Sequence, residues 1–331
     1  MKSRALRFAA PRRVELVEVD VPELAAEQVL VRTEFSGISG GTELLAYRGE
    51  IDPDAPLDDT LGALGGTFRF PFRYGYSSVG IVEESTADGI AEGARVFAFH
   101  PHQEMLVAAA TDVMALSGED PRTAAMLPLV ETALQVTLDA GSVFGQVVVV
   151  TGLGPVGILS GALLARAGAR VIGSDPLAWR RDAAKAFGIE AVSPDRLGDA
   201  ATEATSSVGV PTLVEASGRP AVLNEALPIL AHEGTALVCS WYGTKPVPLA
   251  LGAEFHRRRL TIRSTQVSSI PAHLRTTWDR RTRLGRAREL LSELPLATMA
   301  THEFAFDRAA DAYAALDRGQ EGLVHAALRY R

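Results

Sequence analysis

The sequence has little of several features that would mark it as a particular class of protein. It contains one cysteine, Cys239, in 331 residues, which excludes an intrachain disulfide and any multi-cysteine zinc site. The formal net charge is −7, and no long block of one charge sign occurs. The densest basic cluster, residues 256–259, is therefore interpreted as surface or a local anion contact, and no nucleic-acid partner is predicted.

Membrane and export signals are also missing. The uncharged run over residues 140–165 contains glycines and a proline, and it fits a strand, a turn and a helix better than a membrane span. The N-terminal residues MKSRALRFAAPRRVEL carry charges without an apolar centre, so no signal peptide is predicted. We therefore expect a soluble, cytoplasmic protein with no membrane partner.

The pattern that is present changes along the chain. Residues 1 to about 100 contain short runs, several of them alternating, which are separated by prolines and small residues and predict strands. From about residue 122, strand and helix signals alternate, which predicts an α/β fold with a doubly wound parallel sheet. The long irregular segment 47–71 is predicted to contribute to a partly apolar pocket, together with the aromatic residues Phe68, Phe70, Phe72, Tyr74, Phe99 and Trp241.

A strand, a tight turn and a helix follow one another from residue 146. The valine run 147–150 predicts a buried parallel strand, and GLGPVG at 152–157 has the spacing of a dinucleotide-binding turn. Asp175 lies about 20 residues further on, where a carboxylate binds the ribose 2′-hydroxyl. The alternative is a glycine-rich turn in an unrelated α/β unit. The predicted cofactor residues are Gly152, Gly154, Pro155, Val156, Gly157, Asp175, Arg180, Ser217 and Ser240.

The choice between the two nicotinamide cofactors depends on the same acid. The charge of Asp175 would repel a 2′-phosphate, which favours NAD(H) over NADP(H). Arg180 and Arg181 complicate this interpretation, because an arginine pairs well with a 2′-phosphate and also suits the adenosine ribose.

Several motifs resemble the medium-chain dehydrogenase/reductase superfamily. They are VLVR at 29–32, SGIS at 36–39, GIV at 80–82, GARV at 93–96, the glycine turn and EASG at 215–218. The stretches SGISGGTE, FRYGYSSVG and AEFHRRRLTIRSTQV resemble the branch that includes bacteriochlorophyllide hydroxyethyl dehydrogenases. The resemblance implies a Rossmann dinucleotide-binding domain over 122–269 and a β-rich GroES-like catalytic domain over 1–121, completed by 270–331. It also implies a homodimer.

The zinc ligands of this superfamily are not matched. Ser39 stands where the resemblance expects a cysteine, Tyr76 and Ser77 replace a His-Glu pair, and Leu127 falls roughly where a third ligand would lie. A hydroxyl is a poor zinc ligand. The sequence is therefore interpreted as a zinc-free member of the superfamily.

Hydride transfer to a carbonyl leaves an alkoxide that needs a proton or a hydrogen bond. Positions matched by the resemblance offer Thr42 and Tyr76, His100 could act as acid or base, and Glu131 starts the crossing into the cofactor domain. Each has a structural alternative: Tyr76 packs where zinc would lie, Thr42 shapes a turn, His100 satisfies loop backbone, and Glu131 forms an ion pair. The predicted catalytic residues, at a cleft between the domains, are Thr42, Tyr76, His100 and Glu131.

The predicted substrate pocket is formed by side chains near those positions, with core packing or turn formation as the alternative for each. Its members are Ser39, Glu43, Phe99, His102, Trp241 and Tyr242.

The sequence thus predicts a zinc-independent NAD(P)-dependent oxidoreductase. It would transfer hydride between nicotinamide and the secondary alcohol or ketone of a small molecule, with secondary metabolites among the candidates. One alternative is an enoyl or quinone-type reductase of a conjugated double bond. Another is a cofactor-binding protein without turnover.

Overall fold

The computed structural model describes residues 1–331, which form two compact units. The first unit comprises residues 1–128 and 300–331, and the second comprises residues 129–299. The sequence instead predicts boundaries at 121/122 and 269/270. The shift at the second boundary assigns one whole helix, Arg280–Glu293, to the second unit.

Runs of strands dominate the first part of the chain, and strands and helices alternate from β8 to α7. The strands are Lys2–Ala10 (β1), Arg13–Asp20 (β2), Gln28–Ile38 (β3), Ser78–Ser85 (β4), Arg95–Ala98 (β5), Met105–Ala109 (β6), Val113–Ala115 (β7), Val147–Thr151 (β8), Arg170–Ser174 (β9), Glu190–Val192 (β10), Val210–Glu215 (β11), Leu230–Val238 (β12), Thr261–Ser264 (β13), His302–Ala305 (β14) and Ala326–Arg329 (β15). The helices are Thr42–Arg48 (α1), Pro121–Ala124 (α2), Leu127–Ala140 (α3), Pro155–Arg166 (α4), Ala178–Lys185 (α5), Leu197–Ala204 (α6), Pro220–Ala226 (α7), Arg280–Glu293 (α8) and Ala309–Asp317 (α9).

The first unit is built on a seven-stranded sheet with the order β14-β15-β3-β4-β5-β7, in which β6 also pairs with β3. All of its pairings are antiparallel except β14 with β15. The hairpin of β1 and β2 forms a second, two-stranded sheet. The last strand, β15, lies beside β3, so the C-terminal segment of the chain completes the sheet of the N-terminal segment.

Aromatic side chains of the irregular segment belong to the core of this first unit. Phe68, Phe72 and Tyr74 are 3%, 7% and 3% exposed, and they pack with Phe8 and Tyr313 in one hydrophobic cluster. The prediction that these aromatic residues form a substrate pocket is therefore corrected: burial of their rings holds the segment against the unit's own core.

The second unit is a six-stranded, all-parallel sheet with the order β10-β9-β8-β11-β12-β13. This is the doubly wound order in which the direction of winding reverses between β8 and β11. The apolar runs of β8 and β11 are almost completely buried, as expected for strands covered on both faces. The predicted α/β fold, with a Rossmann sheet and a separate β-rich domain, is confirmed.

The reversal point places the functional segments at one edge of the second unit. Gly152 follows β8, Asp175 follows β9, Ser217 follows β11 and Ser240 follows β12, so all four lie at the carboxyl ends of neighbouring strands. Ligands bind at this edge in open parallel sheets. None of the helices in the structure has the length and apolar composition needed to cross a bilayer.

Candidate active site

The turn after β8 requires glycine at two positions for reasons of space. Gly152 has φ = +88°, and a Cβ there would lie 2.5 Å from Cα of Ser217. A Cβ on Gly157 would lie 1.9 Å from the carbonyl oxygen of Gly152, because the helix starts directly against the turn. Gly154 differs, since nothing lies within 4 Å of its Cβ position. Gly154 therefore leaves its backbone open, directly before α4 begins at Pro155, where a pyrophosphate would approach the helix N-terminus.

The carboxylate of Asp175 is held in place by backbone amides. Asp175 is 2% exposed, and it accepts hydrogen bonds from the N–H groups of Leu153 and Leu177, each at 2.9 Å. Arg180 approaches the same carboxylate at 3.5 Å, and Arg181 donates to the backbone carbonyl of Asp175 at 2.8 Å. The carboxylate is thus fixed at the end of β9, in the position that binds a ribose hydroxyl in this fold.

A second buried carboxylate, Glu215, organises the neighbouring strand ends. It is 0% exposed and accepts hydrogen bonds from the Ser217 N–H at 2.8 Å and the Tyr242 hydroxyl at 2.5 Å. Ser240 in turn accepts a hydrogen bond from the Gly218 N–H at 2.8 Å. Sequence reasoning missed the role of Glu215 here, although a carboxylate that ends an apolar strand was a usable signal.

In the first unit, three predicted hydroxyl groups come together. Tyr76 is half-buried and lies near the side chains of Ser39 and Thr42. Burial raises the pKa of the Tyr76 phenol, and the negative charge of Glu43 raises it further. The neighbouring hydroxyls of Ser39 and Thr42 oppose that shift. The phenol therefore stays protonated at neutral pH and is suited to donate a proton or a hydrogen bond.

Glu43 lies behind these hydroxyls and has no exposed surface. Its carboxylate accepts hydrogen bonds from the Ser39 N–H at 2.8 Å, from Nε2 of His102 at 2.9 Å and from the Tyr313 hydroxyl. His102 is also 0% exposed. The prediction that Glu43 and His102 line a substrate pocket is corrected, because neither side chain reaches the surface.

The other ring nitrogen of His102 extends the network. Nδ1 lies 2.7 Å from Oγ of Ser36, which lies 2.9 Å from the hydroxyl of Tyr330. Ser36 is 0% exposed and Tyr330 is 7% exposed. The tyrosines at positions 313 and 330 belong to the C-terminal segment, and nothing in the local sequence indicated that they would contact Glu43 and Ser36.

The remaining predicted residues of the first unit, His100 and Phe99, lie outside this hydrogen-bond network. His100 is half-buried, with Nδ1 2.9 Å from the carbonyl oxygen of Pro101. Burial lowers the pKa of His100 to about 4, so the ring is neutral at pH 7 and its Nε2 is available as an acceptor. Phe99 is half-buried and packs edge-on against Phe97 at 5.0 Å.

Two predicted residues of the second unit have other surroundings. Trp241 is 45% exposed after the end of β12. Glu131 is 7% exposed, and its Oε1 lies 2.9 Å from Nη2 and 3.1 Å from Nε of the buried Arg283. Burial raises the pKa of Glu131, and the guanidinium of Arg283 opposes that shift. This geometry favours the structural ion pair over the catalytic role predicted for Glu131.

The donor set at the expected zinc-ligand positions is poor for zinc. Ser39 and Tyr76 offer only hydroxyls, the Ser77 hydroxyl donates to the carbonyl of Ala125 at 2.6 Å, and Leu127 is fully buried. No group of three or more histidine, cysteine, aspartate or glutamate side chains is arranged to hold a metal ion. The residues present therefore do not fit a structural or catalytic zinc of the usual kind.

Comparison with known proteins agrees with this geometry in the second unit. The family model described as zinc-binding dehydrogenase matches residues 155–282. D-guloside 3-dehydrogenase of Escherichia coli K12 is 29% identical over 302 residues, which cover 84% of this chain and 85% of that protein. The 2-desacetyl-2-hydroxyethyl bacteriochlorophyllide A dehydrogenase of Cereibacter sphaeroides is 26% identical over 336 residues, which cover 95% and 94%. Both relatives are dehydrogenases, and they support the resemblance to the medium-chain dehydrogenase/reductase superfamily.

A solved structure shows the same fold over the whole length. The alcohol dehydrogenase of Thermus sp. ATN1 superposes with a TM-score of 0.77 at 20% identity, covering 99% of this chain and 100% of that one. This structure confirms the fold, while the family model and the relatives, which are dehydrogenases, confirm the resemblance stated from the sequence.

Proposed function

We propose that this medium-chain dehydrogenase transfers hydride between NAD(P) and a secondary alcohol or ketone without zinc. The observation that carries the proposal is the hydroxyl cluster of Ser39, Thr42 and Tyr76, in which Ser39 and Tyr76 stand where zinc ligands are expected. Hydroxyls donate hydrogen bonds to an oxyanion, which is the chemical task that zinc would otherwise perform.

The second unit supplies a fitting site for the dinucleotide. The open backbone at Gly154 and the N-terminus of α4 suit a pyrophosphate, and the fixed carboxylate of Asp175 suits a ribose diol. When bound, the nicotinamide supplies or accepts the hydride. Because a carboxylate repels a 2′-phosphate, the arrangement supports NAD(H) over NADP(H).

The first unit supplies the proton. In the direction of ketone reduction, the protonated phenol of Tyr76 donates to the oxygen that gains negative charge. Thr42 and Ser39 orient that phenol, and the phenol regains its proton from solvent after the product leaves. His100, which is neutral at pH 7, is a second candidate for accepting a proton in the reverse direction.

The names of the relatives support an alcohol substrate. One acts at position 3 of a D-guloside and the other at a hydroxyethyl group, so both names describe oxidation of an alcohol. We therefore propose a small molecule with a secondary hydroxyl as the substrate. A cytoplasmic homodimer is part of the same proposal, and the edge strand β13, which pairs with β12 alone, supports it.

The proposal is tested by following NADH consumption with two panels of substrates. The ketone panel contains 3-keto glycosides and aryl methyl ketones, and the enone panel contains 2-cyclohexenone and a quinone. Turnover of ketones alone is the expected result. Turnover of enones alone would assign the protein to the double-bond reductases, and tight NADH binding without turnover on either panel would favour a binding protein.

A further inference from the structure

We propose that Glu43 and His102 are positioning residues for Tyr76. The buried pair holds the turn that carries Ser39 and Thr42 against the backbone that carries Tyr76. This inference rests on the proposed function of Tyr76, and it assigns roles to two residues that never touch the substrate. Glu43 and His102 are both 0% exposed, while Tyr76 is half-buried.

Glu43 is hydrogen-bonded to Ser39 across the turn that joins them. The Glu43 carboxylate accepts a hydrogen bond from the Ser39 N–H at 2.8 Å, and the Glu43 N–H donates to the Ser39 carbonyl at 3.1 Å. These two bonds close the turn at both ends. The hydroxyls of Ser39 and Thr42 are therefore fixed relative to each other by Glu43, before either of them meets Tyr76.

His102 contacts the backbone directly before Tyr76. Gly75 has φ = +114°, and a Cβ there would lie 2.6 Å from Cδ2 and 2.7 Å from Nε2 of His102. The imidazole thus lies directly against Gly75, in space that any larger residue would need. The backbone of His102 is held in turn, since its carbonyl accepts a hydrogen bond from the Leu6 N–H at 2.9 Å.

Glu43 and His102 are hydrogen-bonded directly to each other. Nε2 of His102 lies 2.9 Å from Oε2 of Glu43, so the group that supports Gly75 is hydrogen-bonded to the group that closes the Ser39 turn. Tyr313 donates to the same carboxylate oxygen, and Ser36 lies 2.7 Å from Nδ1 of His102. Every polar atom of the pair has a partner, as a buried charged group requires.

The prediction is that removing the Glu43 charge loosens Tyr76 without altering the dinucleotide site. Glu43→Gln replaces the carboxylate oxygen that accepts from His102 and Tyr313 with an amide N–H₂, which only donates, so both partners must reverse their roles or lose the contact. Displacing an acting group by about 1 Å is enough to lower turnover about 100-fold, so we expect a loss in kcat of about 10- to 100-fold with unchanged NADH affinity.

A double-mutant cycle separates positioning from general damage. The four proteins are the wild type, Glu43→Gln, Tyr76→Phe and the double variant, assayed with the ketone of the panel that is reduced fastest. If Glu43 acts through Tyr76, the Gln substitution costs less than about threefold in the Phe background. An equal loss of kcat in the wild-type and Tyr76→Phe backgrounds, or no loss in the wild-type background, would overturn the proposal.

Two further variants keep the test sound. Asp317→Asn is the matched control. Asp317 pairs with Arg48, which lies in the same helix as Glu43, α1, but at its opposite end. Turnover should therefore not change. Tyr313→Phe removes one donor to Glu43 and retains the aromatic ring. It should lower kcat in the same direction as Glu43→Gln by a smaller factor, which covers the case in which Glu43→Gln does not fold.

A measurement without substrate keeps this inference separate from the proposed function. 3-Fluorotyrosine at position 76 should give one ¹⁹F resonance, which shifts or splits in Tyr313→Phe or Glu43→Gln and stays in place in Asp317→Asn. An unmoved resonance in both cluster variants would refute positioning. Full turnover by Tyr76→Phe would instead refute the proposed function, whatever the resonance shows.

Discussion

Glu43 and Glu131 are both buried carboxylates with a basic side chain beside them, and their partners differ in one important respect. Glu131 forms an ion pair with the guanidinium of Arg283. Glu43 instead accepts hydrogen bonds from an imidazole and a phenol, with serine and tyrosine hydroxyls behind the imidazole. The first arrangement is an ion pair, and the second is a network of hydrogen bonds.

The surroundings extend this difference. Arg283 also donates to the carbonyl of Val267 at 2.6 Å and to the side chain of Gln135, so its ion pair joins α3 and α8 with the segment after β13 within the second unit. The Glu43 network instead ends on Ser39, which lies near the half-buried Tyr76. Burial of a carboxylate therefore does not by itself indicate catalysis.

The largest effect is expected at Tyr76. Tyr76→Phe should lower kcat about 10²- to 10⁴-fold, the range for a general acid, while the Kd of NADH stays unchanged. Steady-state assays on the ketone panel and NADH fluorescence measure the two quantities. Tyr74→Phe, which removes the neighbouring buried phenol, is the control. Equal losses in the two variants would mean that the loss reflects packing.

Glu131→Gln should lower the stability of the protein far more than its turnover, in contrast to Tyr76→Phe. Removing one partner of a buried ion pair typically costs about 3–5 kcal/mol, because Arg283 is left buried without its counter-charge. Urea unfolding of the variant should show this loss, and kcat per folded molecule should change much less than the stability. A large loss of turnover in protein that remains fully folded would restore the catalytic role predicted for Glu131.

A smaller effect is expected at the cofactor edge. Asp175→Asn removes the charge that repels a 2′-phosphate and weakens a hydrogen bond to the ribose, so the Kd of NADH should rise by about tenfold. Binding of NADPH should improve relative to NADH. Asp182→Asn on the exposed face of α5, which removes an ion pair with Lys185, should leave both affinities unchanged. A stronger preference for NADH in Asp175→Asn would contradict the assignment.

The elements of the fold with local signals were predicted from the sequence. The glycine turn, its strand and helix, and Asp175 all lie within one continuous segment, so spacing alone indicated them. The hydroxyl positions at Ser39, Thr42 and Tyr76 came from the resemblance, and the structure brings them together.

The partners of the buried carboxylates were not predictable in this way. Tyr313 lies 270 residues from Glu43 along the chain, and Arg283 lies 152 residues from Glu131. Such pairs are created by the packing of distant segments, which leaves no periodicity or spacing in the sequence. For the same reason Glu43 and His102 were predicted as pocket walls, since nothing local shows that both are completely enclosed.

The last effect concerns a buried histidine outside both networks. His325 is 2% exposed with an unpartnered Nε2, and burial lowers its pKa to about 4 from 6.5. Because the unfolded chain then binds more protons, stability should be complete above about pH 6.5 and fall as the pH decreases towards 4. This loss amounts to about 2 kcal/mol between pH 7 and pH 5.

His325→Leu isolates that contribution, because leucine cannot take up a proton. Denaturant unfolding at pH 7 and pH 5 should show a smaller acid loss in the variant than in the wild type. The same acid loss in both proteins would show that His325 is not responsible.

The central claim is that hydroxyl groups in the first unit replace a zinc ion. The most direct test is ketone reduction by protein that has been exhaustively treated with a chelator and checked for residual metal by mass spectrometry. The account predicts full turnover of the metal-depleted protein, with no gain when zinc is added. Loss of turnover on chelation, restored by one equivalent of zinc, would contradict it.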